Sequence, residues 1–275
     1  MRMFNDDFAL ADYHVHPNFS VDAEGAIEDF CASAREKSIC EICFTTHFDT
    51  NPASSEWGRS IRVNGELKIN SVENFGHYVR AIEKAGEDSP MVIKCGVEVG
   101  YYPGCEDEIR ELTETYPIEY KLGAVHEIGD FDICTEKDIK RVSANMPLEK
   151  LADDYFGLVK KMVETGLFDA VAHMDMYKWY GLKYFGDNIL TIHRGRIENV
   201  FESMVRHNVG MEINTAALRK GHAEYYPSME IVNMARKTGV RIAAIGSDAH
   251  RPSEIGFDFD AAKMVAYDLF PYTNE

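Results

Sequence analysis

Residues 8–16 read FALADYHVH, an apolar run that closes on two histidines, and the same pattern of a short apolar stretch between polar turns returns six more times. The repeats are ICEICFTTH (39–47), MVIKCGVEV (91–99), IEYKLGAVH (118–126), FDAVAH (168–173), VGMEIN (209–214) and VRIAAIG (240–246). Runs of this length bounded by turn residues are expected to be buried strands. Between them lie helical patterns over 24–37, 71–88, 104–115, 148–166, 190–208 and 228–238, with another at 260–270. In the fourth, Leu148, Leu151, Tyr155, Leu158 and Met162 recur at i, i+3 and i+4, and Pro147 stands where a first-turn proline fits. Seven alternations of strand and helix predict βαβ units and a parallel sheet.

The polar residues decide whether that sheet is open or closed. Every strand candidate ends in, or is followed at once by, a metal-capable or polar group: His14 and His16, His47, Glu98, His126, His173, Glu212 and Asn214, then Asp248 and His250. A closed barrel brings all its strand ends to one face, whereas an open sheet divides them about a switch point. The expectation is therefore an α/β fold, a single seven-stranded barrel domain spanning 1–275 with a metal site at the C-terminal ends of the strands. Three longer connections, 49–70, 127–146 and 174–189, follow strand ends and should ring the mouth of that site as binding loops.

The chain has 275 residues, 45% hydrophobic, enough for a sizeable core in one domain. Its 29 basic and 46 acidic residues give a net charge of −17, which disfavours nucleic acid or an anionic membrane as a partner. No stretch approaches a membrane span and the N-terminus lacks a signal-peptide pattern, so a cytoplasmic location is expected. The six cysteines show no disulfide rhythm. Cys40 and Cys43 form a CxxC, but on a strand that spacing sends the two thiols to opposite faces.

His14 and His16, two apart on a strand, point the same way and can share an ion or hold neighbouring ones. Six of the ten histidines lie at strand ends, and so many imidazoles on one face would make a poor apolar core. A polynuclear metal site explains them better. Of the others, His77, His193 and His207 are expected to be exposed or locally satisfied, while His222 stands beside Arg219 and Lys220. Nitrogen and carboxylate ligands without thiolate suit zinc, manganese or iron alike.

Taken together, DYHVHPNFSVDA, TTHFD, GVEVGYY, GAVHEIG, AHMD and GSDAHRP resemble the polymerase-and-histidinol-phosphatase (PHP) family of metal-dependent phosphoesterases, in that family's order, over residues 12 to 257. EINTAALRK followed by YPS is similar to the histidinol-phosphatase branch. The resemblance implies a distorted (β/α)7 barrel holding two or three divalent ions. His14, His16 and Asp248 would hold the first with Glu98, which bridges to a second held by His126 and His173. His47 and His250 would hold the third. Asp22 is a further ligand there, or orients one of the ligands from behind, or is the cap of a helix beginning near Glu24, and Asp12 is a supporting partner rather than a ligand. Glu98, Asp248 and His250 would be the catalytic group.

The expected reaction is hydrolysis of L-histidinol phosphate to L-histidinol and inorganic phosphate, a step of histidine biosynthesis. Clustered cations supply a nucleophile from water and neutralise phosphate charge, and they reverse the local sign of an acidic chain. Arg219, Lys220, Arg251 and Lys178 are the candidates for binding phosphate, Arg219 first because a guanidinium can take two oxygens. Glu212 or Asp175 could pair with the substrate amine, and Tyr177 and Trp179 could stack on its ring. Rival readings are an amidohydrolase-like barrel, which does not need His47, Glu98 or His250; a phosphatase of the same family for phosphotyrosine or another phosphomonoester; and a non-catalytic metal-binding interaction module. The partner expected is a small phosphate ester.

Overall fold

The computed structural model describes residues 10–87 and 89–267. The outer ends of the 1–275 domain, the first two residues of the 8–16 strand, residue 88 of the 71–88 helix and residues 268–270 of the last helix lie outside them. All seven strand candidates form strands: β1 (Leu10–Val15), β2 (Ile39–Phe44), β3 (Val92–Gly100), β4 (Tyr120–Ala124), β5 (Ala170–Val171), β6 (Gly210–Asn214) and β7 (Ile242–Gly246). They hydrogen-bond in chain order, every neighbouring pair parallel, with the short strand His47–Phe48 added beside β3.

The sheet curls until β7 meets β1, but the two strands do not pair along their length. A single bridge joins Val15 to Ala249, through His16 N–H to the Ala249 carbonyl at 2.8 Å and Ala249 N–H to that of His14 at 3.3 Å. Below it the Asp12 carboxylate, buried, accepts from Ser247 N–H (2.9 Å), Gly256 N–H (3.0 Å) and His14 N–H (3.3 Å). This nearly closed, distorted seven-stranded barrel is the predicted architecture, and Asp12 is its clasp.

The lumen is filled in layers because alternate strand residues point inward. Tyr13 of β1 meets Tyr120 of β4 edge-on, centroids 5.1 Å apart, a contact between strands that are not neighbours. Lys94 of β3 closes this lower end, donating to Tyr13 Oη at 2.7 Å and pairing with Glu41 at 2.8 Å. Cys43, Leu122, Ala124, Ala170 and Ala172 fill the middle. Gly96 has no side chain because a Cβ there would lie 2.6 Å from Cys43 Sγ. Two residues further along β3 stands Glu98, in the upper layer.

The helices pack outside this barrel by their apolar stripes. The helix Leu148–Glu164 buries Leu151, Ala152, Tyr155, Phe156, Val159, Met162 and Val163, with Pro147 as its cap. Where 190–208 predicts one helix, the helix begins only at Ile197, after Gly195 turns the chain at φ 76. The three long connections carry structure of their own: a hairpin, Ser60–Val63 with Glu66–Ile69; a second hairpin, Glu127–Ile128 with Phe131–Asp132, leading to the helix Glu136–Asn145; and the helix Lys178–Phe185. Cys40 is exposed and Cys43 buried, on opposite faces as the strand geometry requires. His193 is buried rather than exposed, its Nε2 3.3 Å from Glu230 Oε1. His77 is half-buried, and His207 is exposed.

Candidate metal centre

Glu98 is the focus of the upper layer. Its Oε1 lies 2.8 Å from His173 Nε2 and 3.4 Å from His126 Nε2; its Oε2 lies 3.3 Å from His14 Nε2, 3.4 Å from His16 Nε2 and 3.0 Å from His47 Nδ1. Asp248 Oδ1 is 3.7 Å from the Nε2 atoms of both His14 and His16. His250 Nε2 is 3.2 Å from Asp22 Oδ2, and His47 Nε2 is 3.7 Å from the same oxygen. The predicted ligands thus gather in one place, in overlapping groups such as His14, His16 and Glu98; Glu98, His126 and His173; and His16, His47 and His250. Asp22 faces His47 and His250 and is not a helix cap, since the helix Ile27–Glu36 starts from Ala26.

The remaining ring nitrogens explain why these imidazoles point inward. His14 Nδ1 bonds Glu212 Oε1 at 2.7 Å, His16 Nδ1 bonds Ser20 Oγ at 3.1 Å, and His250 Nδ1 bonds the Asp248 carbonyl at 3.1 Å. That leaves His14 Nε2 and His16 Nε2 buried without a hydrogen-bond partner, together with His47 Nδ1. Buried polar atoms without partners are costly and rare, and neutral imidazole nitrogens facing carboxylate oxygens form a donor set for divalent cations. The residues fit metal ions. His173 and Asp248 also hold positive φ, 23° and 52°, in a region unfavourable for side chains that recurs at functional sites.

The electrostatics agree. Burial opposes ionisation of Glu98, yet the surrounding imidazoles of His14, His126 and His47 hold its carboxyl well below the usual range. Burial opposes charge on His14 too, but Glu212, Glu98 and Asp248 outweigh it and raise that imidazole. His16 goes the other way, pushed down by burial and by His47 and His250 beside it.

The sequence reading missed one residue and gave another a different role. Asp49 sends Oδ1 to 3.6 Å from His126 Nδ1 and Oδ2 to 3.8 Å from His47 Nδ1; its signal was the i, i+2 spacing from His47 on an extended segment, the same that singled out His14 and His16. Glu212, like Asp175, was a candidate to pair with the substrate amine. It lies buried instead, holding His14 by Oε1 and accepting the His173 backbone N–H at 2.9 Å by Oε2, and a side chain on Gly246 would collide with it. A carboxylate behind a ligating histidine orients the ring and raises its basicity. Glu212→Gln is therefore expected to weaken metal affinity by about 10- to 100-fold, measured by competition with a chromophoric chelator.

A cavity of about 490 Å³ opens above Glu98. All three long connections line it, through Asn51, Ser54 and Trp57, through Glu127, Asp132 and Thr135, and through Met176 and Trp179. Asn51 Nδ2 and Ser54 Oγ donate to the two oxygens of Glu127, which ties the first connection to the second. Arg219 and Lys220 line it too; Arg219 Nη1 and Nη2 donate to the carbonyls of Ser247 (2.7 Å) and Asp248 (3.0 Å).

Lys178 and Arg251 are placed elsewhere. Lys178 is buried, its Nζ given to Asp175 Oδ2 (2.8 Å) and the Tyr225 carbonyl (2.9 Å), while Arg251 is exposed and pairs with Glu24 at 3.1 Å. Asp175 is occupied by Lys178 and by Ser228 N–H, and Tyr177 is buried against Tyr155, so neither faces the cavity. His222 packs on Tyr226, ring centroids 5.6 Å apart.

A parallel barrel whose strand ends collect six imidazoles and several carboxylates under an open cavity is a metal-dependent hydrolase by construction. The chain belongs to the PHP domain family, whose model matches residues 12–216. It is similar to a probable histidinol-phosphatase of Deinococcus radiodurans, 27% identical over 93% of this chain and 92% of the relative, and to the histidinol-phosphatase of Lactococcus lactis, 25% identical over 87% and 83%. Among solved structures, the Lactococcus lactis histidinol phosphate phosphatase, crystallised with zinc, L-histidinol and phosphate, shares the fold with a TM-score of 0.71, 19% identity and coverage of 94% of this chain and 93% of that one.

Proposed function

We propose that this chain hydrolyses L-histidinol phosphate to L-histidinol and inorganic phosphate, as the broader reading of a PHP-family metal-dependent phosphatase allows. The observation that carries the reading is Glu98, an ionised carboxylate facing five imidazoles at the floor of a cavity sized for a small molecule. His14, His16, Glu98 and Asp248 would hold one ion, Glu98, His126 and His173 a second, and His47, His250 and Asp22 a third. Divalent ions bound there lower the pKa of water and offset the charge of a phosphate ester.

The chain's own residues do the rest. Glu98 stays anionic because imidazoles surround it, so it can serve both sides of the cluster. Arg219, anchored by two carbonyls and with Nη2 3.7 Å from Glu254 Oε2, still has N–H groups beyond those two bonds that a phosphate oxygen could take. Lys220 adds a second positive charge to the wall. Asp49, Glu127 and Asp132 line the same cavity with carboxylates, which suits a phosphate joined to a cationic amine. The Glu127 tie to Asn51 and Ser54 narrows the mouth toward a small substrate rather than a folded phosphoprotein.

The test is phosphate release by protein purified without chelator and supplied with zinc or manganese. A kcat/KM for L-histidinol phosphate of at least about 10⁴ M⁻¹s⁻¹, far above that for p-nitrophenyl phosphate or a phosphotyrosine peptide, is expected. Comparable rates on all three would discard the substrate and keep the phosphatase. No turnover of any by metal-replete protein would replace it with the binding-module reading.

A further inference from the structure

The basic side of the cavity is built in layers. Lys220 Nζ lies 3.8 Å from the centroid of the Trp179 ring and 5.9 Å from that of Tyr226. Behind it, Trp179 stacks on Tyr180 with centroids 4.6 Å apart and planes 18° from parallel. The same ammonium is 4.0 Å from Asp248 Oδ2, at the edge of the metal-ligand cluster. The indole is thus already engaged, stacked with Tyr180 and approached by an ammonium.

Lysine carries a strongly hydrated point charge on a flexible stem, so in a half-open cavity its head has no fixed place of its own. An aromatic face attracts it electrostatically, most of all where water is partly excluded. Trp179 comes from the helix after β5 and Lys220 from the loop after β6. The pair therefore joins two mouth segments at the point where a phosphate would arrive.

We propose that Trp179 is a positioning residue for phosphate binding: its indole holds Lys220 Nζ beside Asp248, where the ammonium meets the phosphate of the substrate. The inference rests on the phosphatase reading, and it gives Trp179 a place in that reaction other than recognition of the substrate's ring.

The experiment is a double-mutant cycle on the zinc-loaded protein with Trp179→Leu, Lys220→Met and both together. It reads KM and kcat for L-histidinol phosphate and, without turnover, the Kd of inorganic phosphate. Trp179→Leu is expected to raise KM and the phosphate Kd about tenfold, the scale of a partly desolvated cation–π contact, with kcat changed much less. Trp179→Phe, which keeps a smaller ring and guards against misfolding of the leucine variant, recovers most of the loss. In the Lys220→Met background Trp179→Leu adds no further loss. Trp57 and Trp179 are the only tryptophans, so in a Trp57→Phe background phosphate binding is also expected to change the emission of Trp179.

A loss that persists undiminished without Lys220, or folded Trp179 variants that bind phosphate as the wild type does, overturns the inference. Wild-type protein that neither binds phosphate nor hydrolyses the ester overturns the phosphatase reading itself, before any variant is compared.

Discussion

Glu98→Ala lowers kcat/KM by at least about 10³-fold, the upper range for losing one preorganised electrostatic contact, and removes bound metal while leaving the fold intact. Both oxygens are committed, Oε1 toward His126 and His173 and Oε2 toward His14, His16 and His47. Asp49 also reaches a member of each group, but only at 3.6 Å from His126 and 3.8 Å from His47, so the loss of Glu98 strikes both sets of contacts at once. The side chain contributes little to packing, because Val97 and Val99 on the opposite face of β3 carry the core contacts. The check is kcat/KM together with metal content by mass spectrometry and a circular dichroism spectrum. Turnover near wild type in a metal-replete variant would falsify the bridging role.

Asp12→Ala acts on stability instead. Its carboxylate accepts the N–H groups of Ser247 and Gly256 across a junction held by one bridge, and that of His14 on its own strand, and the variant leaves those donors without partners. Hydrogen bonds to a charged group contribute about 1.5–3 kcal/mol each, and an orphaned buried donor costs about 1–3 kcal/mol. A destabilisation of about 3–5 kcal/mol follows, beyond most single substitutions. In a chain of this size it lowers Tm by about 10 °C. Thermal unfolding of metal-free protein isolates this effect from ion binding, and an unchanged Tm would show that the barrel closes without Asp12.

The barrel was legible because buried parallel strands are continuous apolar runs and because a polar residue at the end of each has no other reason to recur. The gathering of the candidate ligands was legible for the same reason, His14 with His16 most clearly. Glu212 was not, because its spacing from His14 is 198 residues and only closure of the barrel makes them neighbours. Lys178 and Arg251 were misplaced because a cation in a mouth segment can turn inward to an acid or outward to solvent, and local sequence does not distinguish the two. The hairpins in the long connections were hidden by their brevity, two to four residues per strand.

The packed lower lumen, with Tyr13, Tyr120, Lys94 and Glu41 closing it, makes the catalytic chamber a cul-de-sac. Whatever enters the cavity and whatever leaves it must therefore use the same mouth, the one lined by the three long connections. A part of the barrel far from the histidines thus turns a possible tunnel into a pocket.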